Sequence, residues 1–355
     1  MKIVITGICG FVGSTVAAGL QERSPGLEIV GLDNLVRPGS ELNRQRWKHK
    51  GVRLFHADIR NASDLETLPP VDWVIDAAAN PSVLAGVQGQ TSSRQLVEHN
   101  LVGTLNVLEY CKRVRAGFMT LSTSRVYSLQ RLAGLKMETK RDAFVPICEG
   151  YSGTGLTPWG VTEEFSTEPP LSLYGASKLA SEVMALDYGN AFDLPVYINR
   201  CGVLAGAGQF GRPDQGIFSF WIHAYRSKRP LKFIGFGGTG HQVRDCLHPR
   251  DMVSLLVKQM NAAGRHGGVL NVSGGADHAV SLAQLTTWCA QRFGPHEVEK
   301  DFHERIYDVP WLVLATGKAQ QMWDWRPVTP LEAILDEIAR HAESHPDWLD
   351  LSSDA

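Results

Sequence analysis

The chain carries no excess of charge of either sign. Its 35 Lys and Arg residues against 37 Asp and Glu leave a formal net charge of -2, and no long block of like charge occurs. A general nucleic-acid or membrane-surface role is therefore not indicated. No apolar run reaches the roughly 18 residues of a membrane span, so no membrane partner is expected. The apolar opening "MKIVITGICGFVG" is broken early by glycine and cysteine, and no cleavage pattern follows it. It reads as a first strand, not a signal peptide. Cysteine is sparse: Cys9, Cys111, Cys148, Cys201, Cys246 and Cys289 are scattered without CxxC spacing. That disfavours a disulfide framework or a zinc site, and no metal is expected. The expectation is a reduced, cytoplasmic protein. Its 355 residues permit one large domain or two closely packed ones with a real core.

What is present is an alternation. "KIVIT" (2–6), "EIVGLD" (28–33), "VRLFHAD" (52–58), "DWVIDAA" (72–78), "GFMTLST" (117–123) and "PVYINRC" (195–201) are short apolar runs. Most are β-branched or aromatic, as buried strands require. Helical spacing separates them: Leu96, Leu101, Leu105 and Leu108 recur with Val97, Val102 and Val107. This predicts an α/β fold with a parallel sheet and helices on both faces. Beyond residue 200, glycine-rich and aromatic loops dominate. Helical patterns return at 251–261, 281–293 and 329–345. The expected division is a dinucleotide-binding domain over 1–200, with part of 235–260 packing back on it, and a mainly substrate-binding domain over 201–355. The tail "LDLSSDA" is expected to fray.

"TGICGFVG" places Gly7, Gly10 and Gly13 between the first strand and a helix. Glycine permits the tight turn and lets a pyrophosphate approach the helix N-terminus. Asp33 ends the second strand. A carboxylate there accepts bonds from ribose hydroxyls and repels a 2′-phosphate, which favours NAD over NADP. Arg37 stands nearby as a residue able to accommodate that phosphate. Asp58, in "HADIRN", is a candidate adenine contact, with a helix N-cap as the plain alternative.

Tyr174 and Lys178, in "LYGASKLASE", lie four residues apart on one helical face. Tyrosine ionises near pH 10 when free, and a neighbouring ammonium favours the phenolate. Thr123 closes the fifth strand, in "LSTSRVYS". These three form a set able to take a proton from an alcohol while a hydride leaves its carbon. Cys9 and Cys201 read as buried thiols, not nucleophiles.

Together "TGICGFVG", "DAAANPSV", "NLVGTLNVLE", "YGASK", "QVRDCLHPRD" and "VLNVSGG" resemble the extended short-chain dehydrogenase/reductase (NAD-dependent epimerase/dehydratase) family over almost the whole chain. The resemblance implies a Rossmann-type doubly wound parallel sheet with a smaller C-terminal substrate-binding α/β domain. It implies NAD as cofactor and Thr123, Tyr174 and Lys178 as catalytic residues. The cofactor contacts it implies are Gly7, Gly10, Phe11, Val12, Gly13, Asp33, Asn34, Asp58, Ile59, Ala77, Ala78, Ala79 and Asn100, with Tyr174 and Lys178. The substrate contacts it implies are Pro81, Ser124, Arg125, Cys201, Gln209, Gln215, Arg244 and Arg305. Arg244 and Arg305 would clamp a diphosphate, since a guanidinium fork matches its oxygens. Surface ion pairs are the plain alternative for both arginines and for Arg125.

Family members that dehydrate hexoses carry an Asp-Glu pair directly after the threonine. Here Ser124 and Arg125 occupy those positions. Epimerisation needs no such pair and so becomes the expected reaction. "DNLVRPGSELN", "AGAGQFGRPDQGIF" and "FGGTGHQVRDCLHPRD" look most like the CDP-paratose (CDP-tyvelose) 2-epimerase subgroup. That likeness implies inversion at C2 of a CDP-hexose, with a nucleotide-diphosphate sugar as partner. A UDP-sugar 4-epimerase or decarboxylase, or a noncatalytic NAD-binding scaffold, are the competing readings. A homodimer through a four-helix bundle of 100–110 and 174–188 is the family expectation. The segment 151–170 reads as a lid or specificity loop with solvated Glu163 and Glu164. Asp76 stands where the family commonly has histidine.

Overall fold

The computed structural model describes residues 1–87, 91–262 and 267–352. Seven strands form the main sheet: β1 (Lys2–Thr6), β2 (Glu28–Asp33), β3 (Arg53–His56), β4 (Trp73–Asp76), β5 (Gly117–Thr123), β6 (Val196–Cys201) and β7 (Val269–Val272). Their order is β3-β2-β1-β4-β5-β6-β7. The pairs β1·β2, β1·β4, β2·β3, β4·β5 and β5·β6 are all parallel. The order reverses between β1 and β4, and ligands of doubly wound sheets bind at the carboxyl ends of such a switch point. Every strand expected from the sequence forms, three of them shortened by a residue or more at their ends.

The helices that matter for the site are α1 (Phe11–Arg23), α2 (Gly103–Val114), α3 (Leu173–Phe192) and α4 (Pro249–Met260). Ile3, Val4 and Ile5 of β1 are all buried, as a strand covered on both faces demands. Val4, Val30, Val74, Phe118 and Ile198 join Val107, Leu108 and Cys111 of α2 and Ala185 of α3 in one apolar cluster. Leu108, fully buried, is worth about 1.5–3 kcal/mol there. α1 approaches α4 at Gly19, where a Cβ would lie 2.7 Å from Val253 Cγ2. Just before α2 the helical path widens into a π-helical turn, Glu98–Val102. Such turns re-aim single side chains, and here Asn100 is buried.

The chain separates into two compact units. The first comprises 1–126, 173–201 and 249–270; the second comprises 127–172, 202–248 and 271–355. The division is more interleaved than one cut at residue 200. Residues 127–172 belong with the second unit because their hydrogen bonds run there: Val161 N donates to Val313 O and Ala315 N to Val161 O.

In the second unit, strands Val203–Leu204, Val243–Leu247, Ala279–Ser281 and Trp311–Leu312 form a small mixed sheet. Helices Ile217–Arg226, Leu282–Phe293 and Leu331–Ser344 bury Phe218, Trp221, Ile222, Leu285, Ile334 and Ile338 together. Ser281 caps the second of these helices in a reciprocal box with Gln284. The expected frayed tail is a correction. Trp348–Ser352 is helical, and Ser352 is buried with its hydroxyl donating to Gly211 O. Residues 353–355 lie outside the described residues. Among the described residues, no helix is long and apolar enough to cross a membrane, and no metal-binding cluster occurs.

Candidate active site

The glycine loop has the shape its composition demands. Gly7 sits at φ +64°, where a Cβ would meet Ala78 Cα at 2.9 Å. A Cβ at Gly13 would overlap the Gly7 carbonyl oxygen. The chain therefore turns tightly into α1, whose first residues are Phe11 and Val12. Opposite, Ala77 N and Ala78 N both donate to Thr6 Oγ1, each at 3.1 Å, and Thr6 donates to Asp76 Oδ1 at 2.6 Å. Ala79 and Pro81 are exposed beyond this knot.

Asp33 braces the loop as well as ending β2. Its carboxylate accepts from Cys9 N at 2.8 Å and from Leu35 N at 2.9 Å, and Leu35 takes φ +58° to reach it. Burial raises the Asp33 carboxyl above its ordinary value against these amide bonds. Two oxygens carry about four acceptor sites, so these amides leave the carboxylate with acceptor capacity. Asn34 donates to Asp58 Oδ2 at 2.9 Å. Asp58 is not a helix cap. Burial would raise it, but bonds from Arg60 and Asn34 outweigh that and hold it well below the usual carboxylate range. The Arg60–Asp58 pair closes at 2.6 Å. Ile59 lies in the apolar core, and its carbonyl accepts from Asn106 Nδ2 at 2.8 Å. Asn100 works as a clasp. Its Oδ1 accepts from Asn80 N at 2.8 Å, and its Nδ2 donates to Asn80 O and Ser177 Oγ.

Thr123 and Cys201 are register partners at the ends of β5 and β6. The Thr123 hydroxyl favours ionisation of Tyr174 and accepts from Arg125 N at 3.1 Å. Burial pushes the Tyr174 phenol up to about 12; the Thr123 hydroxyl and the charge of Arg125 pull it down, while Cys201 pushes it further up. The sequence led us to expect Lys178 in the pulling role. In the structure Arg125 is a cation that acts on Tyr174. Lys178 is 2% exposed, and its charge acts on Asp76 and Cys201. Cys201 is buried and its thiol pushed up to about 12 by burial, so it is no nucleophile. Ser124 is also buried, opening the short turn Ser124–Val126.

In the second unit, Arg244 donates to Asp308 Oδ1 at 2.5 Å, Val309 O at 2.9 Å and Val243 O at 2.7 Å. Arg305 donates to Pro213 O at 2.8 Å and lies close enough to act on Arg244. Pro213 belongs to the loop with Gln215, whose backbone pairs with Arg212. Gln209 starts that loop and donates to Leu204 O at 2.8 Å, while Trp348 donates to its carbonyl. The two arginines and the glycine-rich loop thus gather within one unit, as Thr123, Tyr174, Lys178 and Cys201 gather within the other.

Sequence reasoning missed a buried cluster beside the triad. Glu182, on α3, pairs with Arg200 of β6 at 2.7 Å, with side chains 2% and 7% exposed. It also accepts from Ser122 Oγ of β5. A signal existed: Arg200 is the one charge in the mostly apolar strand VYINRC, and such a residue needs a partner. The segment 151–170 is also a correction. Glu163 accepts from Asn271 N at 2.7 Å, Asn271 donates to Val161 O at 2.8 Å, and Tyr127 donates to Asn271 Oδ1 at 2.6 Å. Glu164 is exposed as expected.

A doubly wound sheet, a glycine cradle at its switch point and a Thr-Tyr-Lys set define a dinucleotide-dependent enzyme class. The pattern of the NAD dependent epimerase/dehydratase family matches residues 3–273, and the chain belongs to that family. It is 31% identical over 296 residues to a CDP-paratose 2-epimerase of Salmonella typhi, covering 80% of this chain and 82% of that protein. It is 25% identical over 344 residues to a UDP-glucuronate 4-epimerase of Thermodesulfobacterium geofontis, covering 94% and 93%. In fold it is similar to the UDP-glucuronic acid 4-epimerase of Bacillus cereus, solved with UDP-glucuronic acid and NAD. That likeness has a TM-score of 0.77 at 24% identity and covers 97% and 99% of the two chains. The residues fit the family's cofactor: the cradle excludes any Cβ at Gly7 and Gly13, and Asp33 presents a carboxylate at the end of β2.

Proposed function

We propose that the chain is an NAD-dependent epimerase of a nucleotide-diphosphate sugar, inverting C2 of a CDP-hexose through a transient keto sugar. The observation that carries this reading is a buried Tyr174 whose ionisation Thr123 and Arg125 both favour, with Ser124 and Arg125, not two carboxylates, after the threonine. Gly7, Gly10, Gly13 and the first amides of α1, at Phe11 and Val12, would hold the pyrophosphate. Asp33 would hold the ribose hydroxyls, with Asn34, Asp58 and the 77–79 turn walling the adenine and nicotinamide ends. NAD, when bound, supplies hydride removal and return at one carbon. Tyr174 takes the proton from that carbon's hydroxyl and later gives it back. Thr123 Oγ1 orients the oxygen, and Lys178 supplies buried positive charge on the same helical face. Return on the opposite face inverts the centre with no net redox. Arg244 and Arg305, with Gln209 and Gln215, would take the nucleotide diphosphate.

The CDP-sugar and C2 assignments rest on the likeness to the Salmonella typhi enzyme. Inversion at C4 of a UDP-sugar is the second reading, favoured by the near full-length likeness to the 4-epimerase. The test is proton NMR with NAD in D2O, offering CDP-, UDP-, dTDP- and GDP-hexoses singly. C2 inversion without deuterium at C2 is the expected result. Inversion at C4 selects the second reading, and deuterium at the inverted carbon means enolisation and refutes the role given to Tyr174. We also propose a homodimer. Val102, at the start of the α2 path, and Val183, Met184 and Leu186 of α3 leave an exposed apolar face. Analytical ultracentrifugation is expected to give twice the protomer mass, and Val183→Glu to halve it.

A further inference from the structure

α3 carries Tyr174, Lys178 and Glu182 at intervals of four, so one face presents all three to the sheet. The first two are the groups of the proposed reaction. The third ends in a buried fork. Glu182 Oε2 accepts from Arg200 Nη2 at 2.7 Å and Nε at 3.0 Å, and Oε1 accepts from Arg200 Nε at 3.2 Å and from Ser122 Oγ. Both oxygens are satisfied, and so is the Nε edge of the guanidinium. Ser122 and Arg200 are register partners on adjacent strands, and the next pair in that register is Thr123 and Cys201. A single carboxylate therefore ties α3 to both strands one residue before the site.

A pair so deeply buried is a weak source of stability, because desolvating two charges offsets most of their attraction. Its geometry is what a non-directional apolar contact lacks. A leucine facing an isoleucine tolerates sliding of the helix along the sheet; a two-armed guanidinium–carboxylate fork does not. We propose that Glu182 and Arg200 are positioning residues, a registry lock that fixes where α3 places Tyr174 and Lys178 against Thr123. This rests on the proposed role of those three residues. Misplacement of reacting groups by about 1 Å costs on the order of a hundredfold in rate, so a lock of this kind has a measurable function.

The test separates registry from stability. Glu182→Gln alone leaves Arg200 charged and unpaired and is expected to unfold readily. The decisive variant is the double replacement Glu182→Met with Arg200→Met, which removes both charges and keeps bulk. Its urea midpoint is expected to equal or exceed that of the parent chain. Its kcat for sugar inversion is expected to fall at least about tenfold, with KM within about twofold, and its pH profile to shift. A second readout needs no turnover. With tyrosine 13C-labelled at Cζ and the Tyr174 signal assigned by Tyr174→Phe, that signal is expected to move or split in the double variant. A double variant that keeps its stability, its kcat and its Tyr174 signal overturns the proposal. So does one that no longer folds cooperatively, since the pair would then be holding the fold. A parent chain that inverts no sugar refutes the proposed function, while the Tyr174 signal still decides the registry lock.

Discussion

Tyr174 is harder to ionise in this chain than in water, because burial outweighs everything that favours the phenolate. Arg125 is a cation whose charge works against burial. Its charge favours the deprotonated form, so removing it raises the phenol further. The limb of activity that depends on the phenolate then moves to higher pH. Arg125→Met is expected to lower kcat by about tenfold, the worth of one unit of ionisation, at every pH from 7 to 10, because the phenol is pushed up to about 12. A raised KM with unchanged kcat would mean that Arg125 acts on substrate binding alone. Tyr174→Phe is expected to lose roughly a hundredfold to ten-thousandfold at all pH values while the apo fold stays intact. Both measurements are pH–rate profiles by proton NMR.

Elements are where the sequence was most legible and where its limits show. Strands and the glycine turn announce themselves locally, through apolar runs and a residue that must take positive φ. Gly7 is such a case, at φ +64°. What was hidden depends on long-range pairing. That the charge of Arg125 acts on Tyr174 is one such case. Asp58 held by Arg60 competes with an N-cap that looks equally good in sequence. The segment 151–170 carries few apolar residues, so it reads as a lid. It is fixed instead by strand-like bonds to 313–315 and by Glu163 on Asn271. Its own turn is tight: Gly155 sits at φ +78°, and a Cβ there would overlap the backbone of Phe165. Gly155→Ala is expected to cost about 2–4 kcal/mol, from left-handed backbone strain and overpacking together, read as a lowered urea midpoint. It is also expected to open Glu164 to a glutamyl endopeptidase that the parent chain resists.

For the whole molecule, the sparse cysteines set a limit on stability at high pH. Cys9, Cys201 and Cys289 are pushed up to about 12 by burial, and burial raises Cys111 and Cys246 as well. Tyr174 joins them at about 12. In the unfolded chain, thiols ionise near 9 and phenols near 10. Each of these groups thus has a folded value above its unfolded one. The folded state holds protons that the unfolded state has released, so unfolding is favoured as pH rises. The contribution is intact below about pH 9 and is lost progressively between 9 and 12. These shifts all run in one direction, so they add. The free energy of urea unfolding, measured under reductant, is expected to be flat from pH 7.5 to 8.5 and to fall steeply from 9 to 11. The slope should approach one proton for each buried thiol that titrates. Cys289→Ala removes one such group from the second unit and is expected to flatten the slope by about one proton. A slope unchanged by that substitution would mean that Cys289 meets water before the chain unfolds, and that the second unit opens ahead of the first.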